Sequence, residues 1–175
     1  RRLLGTPPAG LTRASDLTKS SAWLVANVHL EGPLVERPGV PPAWDNVVAG
    51  RAGLGYVDAR HQTLGARDPA LLLTAYHALP QEQRGNLLNR SWRDWSRWVV
   101  EDLAAVHADL PGLVRQVDIT RHGHAMGVPL PGVRGSAELA ALRAGPVAPR
   151  IHLAHTDLVG YSVFEEAFAL GLEAG

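Results

Sequence analysis

"AWLVANVHL", residues 22–30, and "LLLTAYHAL", residues 71–79, are the stretches on which the fold turns. The first alternates in part and is rich in the residues that suit a pleated, half-buried surface, so it reads as a strand. The second reads the same way. Between them "EGPLVERPGVPPAW" holds four prolines and two glycines, too many for a regular element, and must be a surface connection. "DNVVA" from Asp45 and "GYVDARHQ" from Gly55 supply two further strands. In the latter, Tyr56, Asp58, Arg60 and Gln62 share one face, and Val57, Ala59 and His61 the other. The pattern predicts a meander of antiparallel strands.

Pro80 opens a helical part. Gly85 and the Asn89-Arg90-Ser91 stretch divide it into a short helix and a longer one starting near Ser91. Trp92, Trp95 and Trp98 then fall on one broad face of the longer helix, either as core or as the wall of a channel or partner surface. "GLVRQVDITRH" from Gly112 is a strand, "GHAMGVPLPGVRG" a loop, and "SAELAALRA" a short helix capped at Ser136. "PRIHLAH" is the last strand, ahead of a terminal helix. Strands, then helices, then a strand and helix make an α+β fold, an antiparallel or mixed sheet with covering helices. Residues 1–20 read as loop.

Composition narrows the function. Seventeen basic residues meet seventeen acidic ones, and no basic block could displace counterions from a nucleic acid. Nucleic acid and anionic membrane are therefore not expected partners. Cysteine is absent, which removes disulfides, thiol catalysis and Cys-ligated zinc. The N-terminal Leu3-Leu4 pair runs straight into glycine and prolines, so no signal-peptide core develops, and no apolar run is long enough to span a bilayer. A cytoplasmic protein is expected.

The stretch "IHLAHTDLVGYSVFEEAFALG", residues 151–171, asks what its turn is built to hold. Ser162-Val163-Phe164-Glu165 fits a capping box, which leaves the amides of Val163 and Phe164 as donors at the positive end of a helix. Glu165, Glu166 and Asp157 disfavour a phosphate there, and a carbonyl-type acceptor fits better. Ala167, Gly171 and Ala174 recur on one face, as though the helix pressed closely on a neighbour. His122 and His124, and His152, His155 and Asp157, could also be ligands of a metal-dependent hydrolase. On strands, however, His122 and His124 point to one side, and His152 and His155 to opposite sides.

The run from Arg150 to Gly175 resembles the C-terminal signature of the flavin-dependent amine oxidases and of their protoporphyrinogen-oxidase and phytoene-desaturase-like relatives. "DITRHGHAMGVPLPG" resembles that family's strand and loop leading toward the isoalloxazine, and "SSAWLVANVHLEGP" a strand of its substrate domain. The resemblance implies FAD as cofactor. Asp157, after Thr156, would accept from ribityl hydroxyls, and Val163 and Phe164, following Ser162, would donate to the flavin O2/N1 region. His122, His124 and Met126 would face substrate or flavin. It also implies a substrate-domain part over residues 21–145, a cofactor-domain strand and helix over 146–175, and hydride transfer from a small organic substrate to flavin N5. The family's GxGxxG fingerprint is missing, since "GRAGLG" at residues 50–55 lacks both spacing and setting. The chain is therefore expected to be a C-terminal fragment, inactive alone, that self-associates or binds its missing half. The alternative is a non-catalytic interaction module that has lost the cofactor.

Overall fold

The computed structural model describes residues 4–36, 38–62 and 70–175. Leu3 thus lies outside the described residues. The fold is α+β, with five strands in the order β2-β3-β4-β1-β5. They are β1 (Lys19–Leu30), β2 (Asp45–Asn46), β3 (Gly55–Asp58), β4 (Leu71–Leu79) and β5 (Val114–Val128). The helices among the described residues are α1 (Ala9–Leu17), α2 (Arg84–Asn89), α3 (Trp92–Ala104), α4 (Leu110–Leu113), α5 (Ala137–Arg143) and α6 (Phe164–Ala174). The chain forms two compact units, one of Ala22–Gly123 and one of Arg1–Ser21 with His124–Gly175.

The Ala22–Gly123 unit is built on the pairing of β1 with β4. Alternation sends Ala22, Leu24, Ala26, Val28 and Leu30 to one face of β1, and Leu71, Leu73, Ala75, His77 and Leu79 to the same face of β4. The strands are antiparallel with Val28 opposite Leu73 and Leu24 opposite His77. Trp95, Val99 and Leu103 of α3, Leu87 of α2 and Leu110 of α4 complete one core with them. On the outer face Thr74 Oγ1 donates to Asn27 Oδ1 at 2.9 Å across a register pair. A slip by one residue would bury that polar pair, so the alternation fixes the register.

Helix α3 begins where the sequence says: Ser91 Oγ accepts the Asp94 amide at 3.2 Å. Its tryptophans divide. Trp95 is buried, with Nε1 donating to Leu87 O and the Arg90 guanidinium over its ring, and Trp98 is half-buried against His77. Trp92 is exposed, but its Nε1 donates to Val117 O of β5 at 3.0 Å. Arg84 Nε likewise donates to Gly123 O of β5.

Several elements differ from expectation. β2 stops after two residues, at Asn46, and Val47 beyond it is 82% exposed. β3 ends at Asp58, whose carboxylate takes the Arg60 amide at 3.0 Å, and that side-chain bond turns Ala59–Gln62 into a 3₁₀ turn. Gly55, at φ +127°, lies so close to Asn46 O that a Cβ would stand 2.0 Å from it, so only glycine lets β2 and β3 meet there. The loop expected from Gly123 continues as strand to Val128, and β1 starts three residues early, at Lys19. Neighbouring strands extend together, and Ser21 Oγ donates to Met126 O where they do.

In the other unit, residues 9–17 are helical rather than loop. Pro8 lies just ahead of the first turn, where its missing N–H costs little, and Ala14 and Leu11 pack into a core with Leu139, Leu142, Val133, Leu158, Val159 and Leu170. α5 is capped by Ser136, as expected. "PRIHLAH" is not a strand. Arg150 takes φ +65° in a tight turn closed by Val147 N–H to Ile151 O at 2.9 Å, and beyond the single bridge Ala148–Ile151 no strand partner is found among the described residues.

Candidate functional site

The turn ahead of α6 is built from its hydrogen bonds. Leu158 and Val159 are buried anchors, and the 3₁₀ segment Thr156–Leu158 is capped by His155, whose Nδ1 accepts the Asp157 amide at 3.2 Å. The same ring lies 3.4 Å from the Asp157 carboxylate. Thr156 and Asp157 are half-buried. From the end of β5 the Gly127 amide donates to Ser162 Oγ at 2.6 Å. A Cβ on Gly127 would lie 3.1 Å from Ser162 Oγ and 3.2 Å from Asp157 Oδ1, so the strand and the turn approach closely there.

That bond overturns the capping box. Ser162 turns its hydroxyl to Gly127 rather than to the helix, Val163 is the N-cap, and no side chain caps α6. The Val163 amide donates to Tyr161 O at 3.2 Å, so it is not a spare donor. Helix geometry leaves the amides of Phe164, Glu165 and Glu166 without intrahelical acceptors, and none is found for them among the described residues. Arg134 pairs with Glu166 at 3.3 Å and offsets one of the two first-turn carboxylates. The first turn of α6 therefore offers three amides, with the half-exposed Asp157 carboxylate in the turn before it and Glu165 within it, a set that suits a ligand carrying both an acceptor edge and hydroxyl donors. Of the five residues expected to hold the cofactor, Asp157 and Phe164 keep that capacity and Thr156 lies beside them. Ser162 Oγ accepts from Gly127, and the Val163 amide donates to Tyr161 O.

Other expectations for this segment are corrected. Gly171 is exposed, and among the described residues nothing lies within 4 Å of a Cβ there, so α6 does not press on a neighbour at that position. Leu170 is the buried residue of that helix. Phe164, Phe168 and Leu172 line an exposed apolar side, with the two rings stacked at 5.9 Å. His122, His124 and Met126 are exposed and alternate along β5. His152 and His155 are exposed as well, and among the described residues no group of three His, Asp or Glu is arranged to hold a metal ion.

Within the Ala22–Gly123 unit lies a cavity of about 490 Å³ that the sequence did not announce. Its polar wall holds Tyr56, whose hydroxyl is 2.6 Å from His107 Nε2, and the Asp58–Arg60 ion pair. Burial alone would raise the Asp58 carboxyl, but the bonds from the Arg60 guanidinium and amide outweigh it and hold the acid below its ordinary range. Arg60 is raised in turn by its bond to Asp58. The signal was present in part: Tyr56, Asp58 and Arg60 alternate on one face in the sequence, but His107 comes from the far end of the α3 region. Nearby, buried His77 donates through Nε2 to Asp102 Oδ2 at 3.2 Å, and Asp102 also accepts from Arg51 Nε at 2.9 Å. Burial pushes His77 below the usual histidine range, against the pull of Asp102.

No helix among the described residues is long and apolar enough to cross a membrane. Comparison of the sequence with protein-family models finds no match, and neither does comparison with curated proteins.

Proposed function

We propose that the turn at residues 156–164 is the edge of a flavin site, and that the chain carries the C-terminal part of an FAD-dependent oxidoreductase of the amine-oxidase kind. One observation carries the reading. Gly127, in the segment that resembles the family's flavin-directed strand and loop, meets Ser162 at 2.6 Å and approaches Asp157, both in the segment that resembles its C-terminal signature. Two stretches that the resemblance relates to the cofactor thus lie together near the first turn of α6. Asp157 accepts from ribityl hydroxyls, while the amides of Phe164, Glu165 and Glu166, backed by the helix dipole, donate to the pyrimidine edge. Flavin, when bound, supplies the hydride acceptor, and the protein contributes orientation and electrostatic support. The substrate is a small organic molecule that gives up hydride from a C–H beside nitrogen, or in a ring or polyene. The setting is cytoplasmic.

Riboflavin tests the reading, because it carries the ribityl chain and isoalloxazine without the nucleotide. Titration should quench its fluorescence, and Asp157→Ala should weaken binding about tenfold, the worth of one hydrogen bond to a charged acceptor. His152→Ala, at an exposed residue, should leave it unchanged. No binding, or equal effects of the two substitutions, refutes the assignment.

The exposed Phe164, Phe168 and Leu172 favour a second reading, an interaction module without cofactor. Concentration-dependent sedimentation in a chain that ignores riboflavin would select it.

A further inference from the structure

The cavity in the Ala22–Gly123 unit is independent of the turn before α6, and it is formed by the fold rather than left by chance. Its outer wall is the Pro-rich connection after β1, which Asp109 holds in place by accepting the Val35 amide at 2.8 Å. Its floor comes from the sheet through Tyr56 and Leu73, both buried, and Val48 and Leu34 make the apolar sides. A volume of about 490 Å³ lies within the range of small-molecule sites, which runs from roughly 300 to 1,000 Å³.

The polar groups restrict what fits. Arg60 spends Nε and Nη2 on Asp58. A guanidinium has about five N–H donors, so roughly three remain. These can take an acceptor. Among the described lining residues, Glu36 and Asp58 are two carboxylates to one cation, Arg60. An anion would meet an excess of negative charge from these residues. An ammonium group would present more donors to a group that already donates.

We propose that this cavity binds a neutral, mainly apolar small molecule through a ketone- or amide-type carbonyl directed at Arg60. Its body packs between the Pro-rich connection and the sheet, on Leu34, Val48 and Leu73. The proposal does not depend on flavin binding.

The test uses 4-butylacetophenone and 4-butylbenzoate, which share a body and differ in charge. The ketone should bind with submillimolar affinity and shift the methyl resonances of Val48 and Leu73, whereas the carboxylate should bind at least about tenfold more weakly. Ala43→Trp, in the exposed connection, should fill the space and weaken ketone binding at least about tenfold. Arg60→Lys, which keeps the charge opposite Asp58, should weaken it several-fold. A ketone that does not bind up to its solubility limit, a carboxylate that binds as tightly, or shifts confined to other methyls each overturns the proposal. The methyl shifts are read in the unmodified chain, so misfolding of a variant does not rescue it.

Discussion

Gly53→Ala separates two opposite expectations. At a compatible backbone, glycine to alanine stabilises by about 0.4–1 kcal/mol because the unfolded chain has less freedom to lose. Gly53 does not occupy the left-handed region, so that gain is available. The added methyl, however, would stand 2.8 Å from His77 Nε2 and 3.0 Å from both His77 Cδ2 and Asp102 Oδ2. Carbon contacts are best at about 3.5–4.0 Å, so three contacts are short by roughly 0.5–1 Å. His77 cannot yield, being 1% exposed with Trp98 at 4.4 Å on its ring. Movement of the Gly53 segment instead strains the Leu54 N–H to Tyr76 O bond of 2.8 Å and the Arg51–Asp102 pair of 2.9 Å. Overpacking of this kind costs about 1–3 kcal/mol, so the net effect should be a loss of about 1–2 kcal/mol. Urea unfolding followed by circular dichroism should show a lower midpoint at unchanged slope. Gly112→Ala, where nothing lies within 4 Å of the new methyl, is the control and should not lose stability. His77→Ala removes the obstructing ring, so it should combine with Gly53→Ala less than additively. A Gly53→Ala protein as stable as the parent, or more so, would falsify this account of the His77–Asp102 site.

Burial lowers the His77 pKa in the fold, so the unfolded chain binds the proton more readily, and stability present above about pH 6.5 should fall as pH drops below it. His77→Leu, which leaves Asp102 its Arg51 partner, should flatten that slope in urea midpoints, and an unchanged slope would assign it elsewhere. Gly171→Ala should stabilise α6 by about 0.5–1 kcal/mol, because the site is helical and open, and a destabilised helix by thermal melting would reveal a contact there. Ser162→Ala leaves the Gly127 amide without its acceptor and should cost about 1–3 kcal/mol, read as loss of amide protection at Gly127.

Legibility in the sequence followed the range of the interactions. β1, β4 and α3 were readable because alternation and a serine cap are local signals with a buried face to enforce them. Asp58 ended β3 early through a bond to a residue two positions away, a choice that strand propensity does not contain. The capping box failed for a long-range reason. Ser162 had the right spacing, but Gly127, 35 residues distant, competes for its hydroxyl. "PRIHLAH" has strand composition without a strand beside it. Asp157 and the first amides of α6 could be singled out from sequence, whereas the cavity needed Tyr56 and His107, 51 residues apart, to be brought together.

β5 is the outer strand of the sheet, and such a strand offers its outward carbonyls to any chain able to lie alongside. Val117 and Gly123 of this strand both use their carbonyls. Trp92 and Arg84 occupy them. Two side chains from the helical part are thus tied to the backbone of this strand, and an indole that looks merely surface-exposed is a fastening between α3 and the sheet.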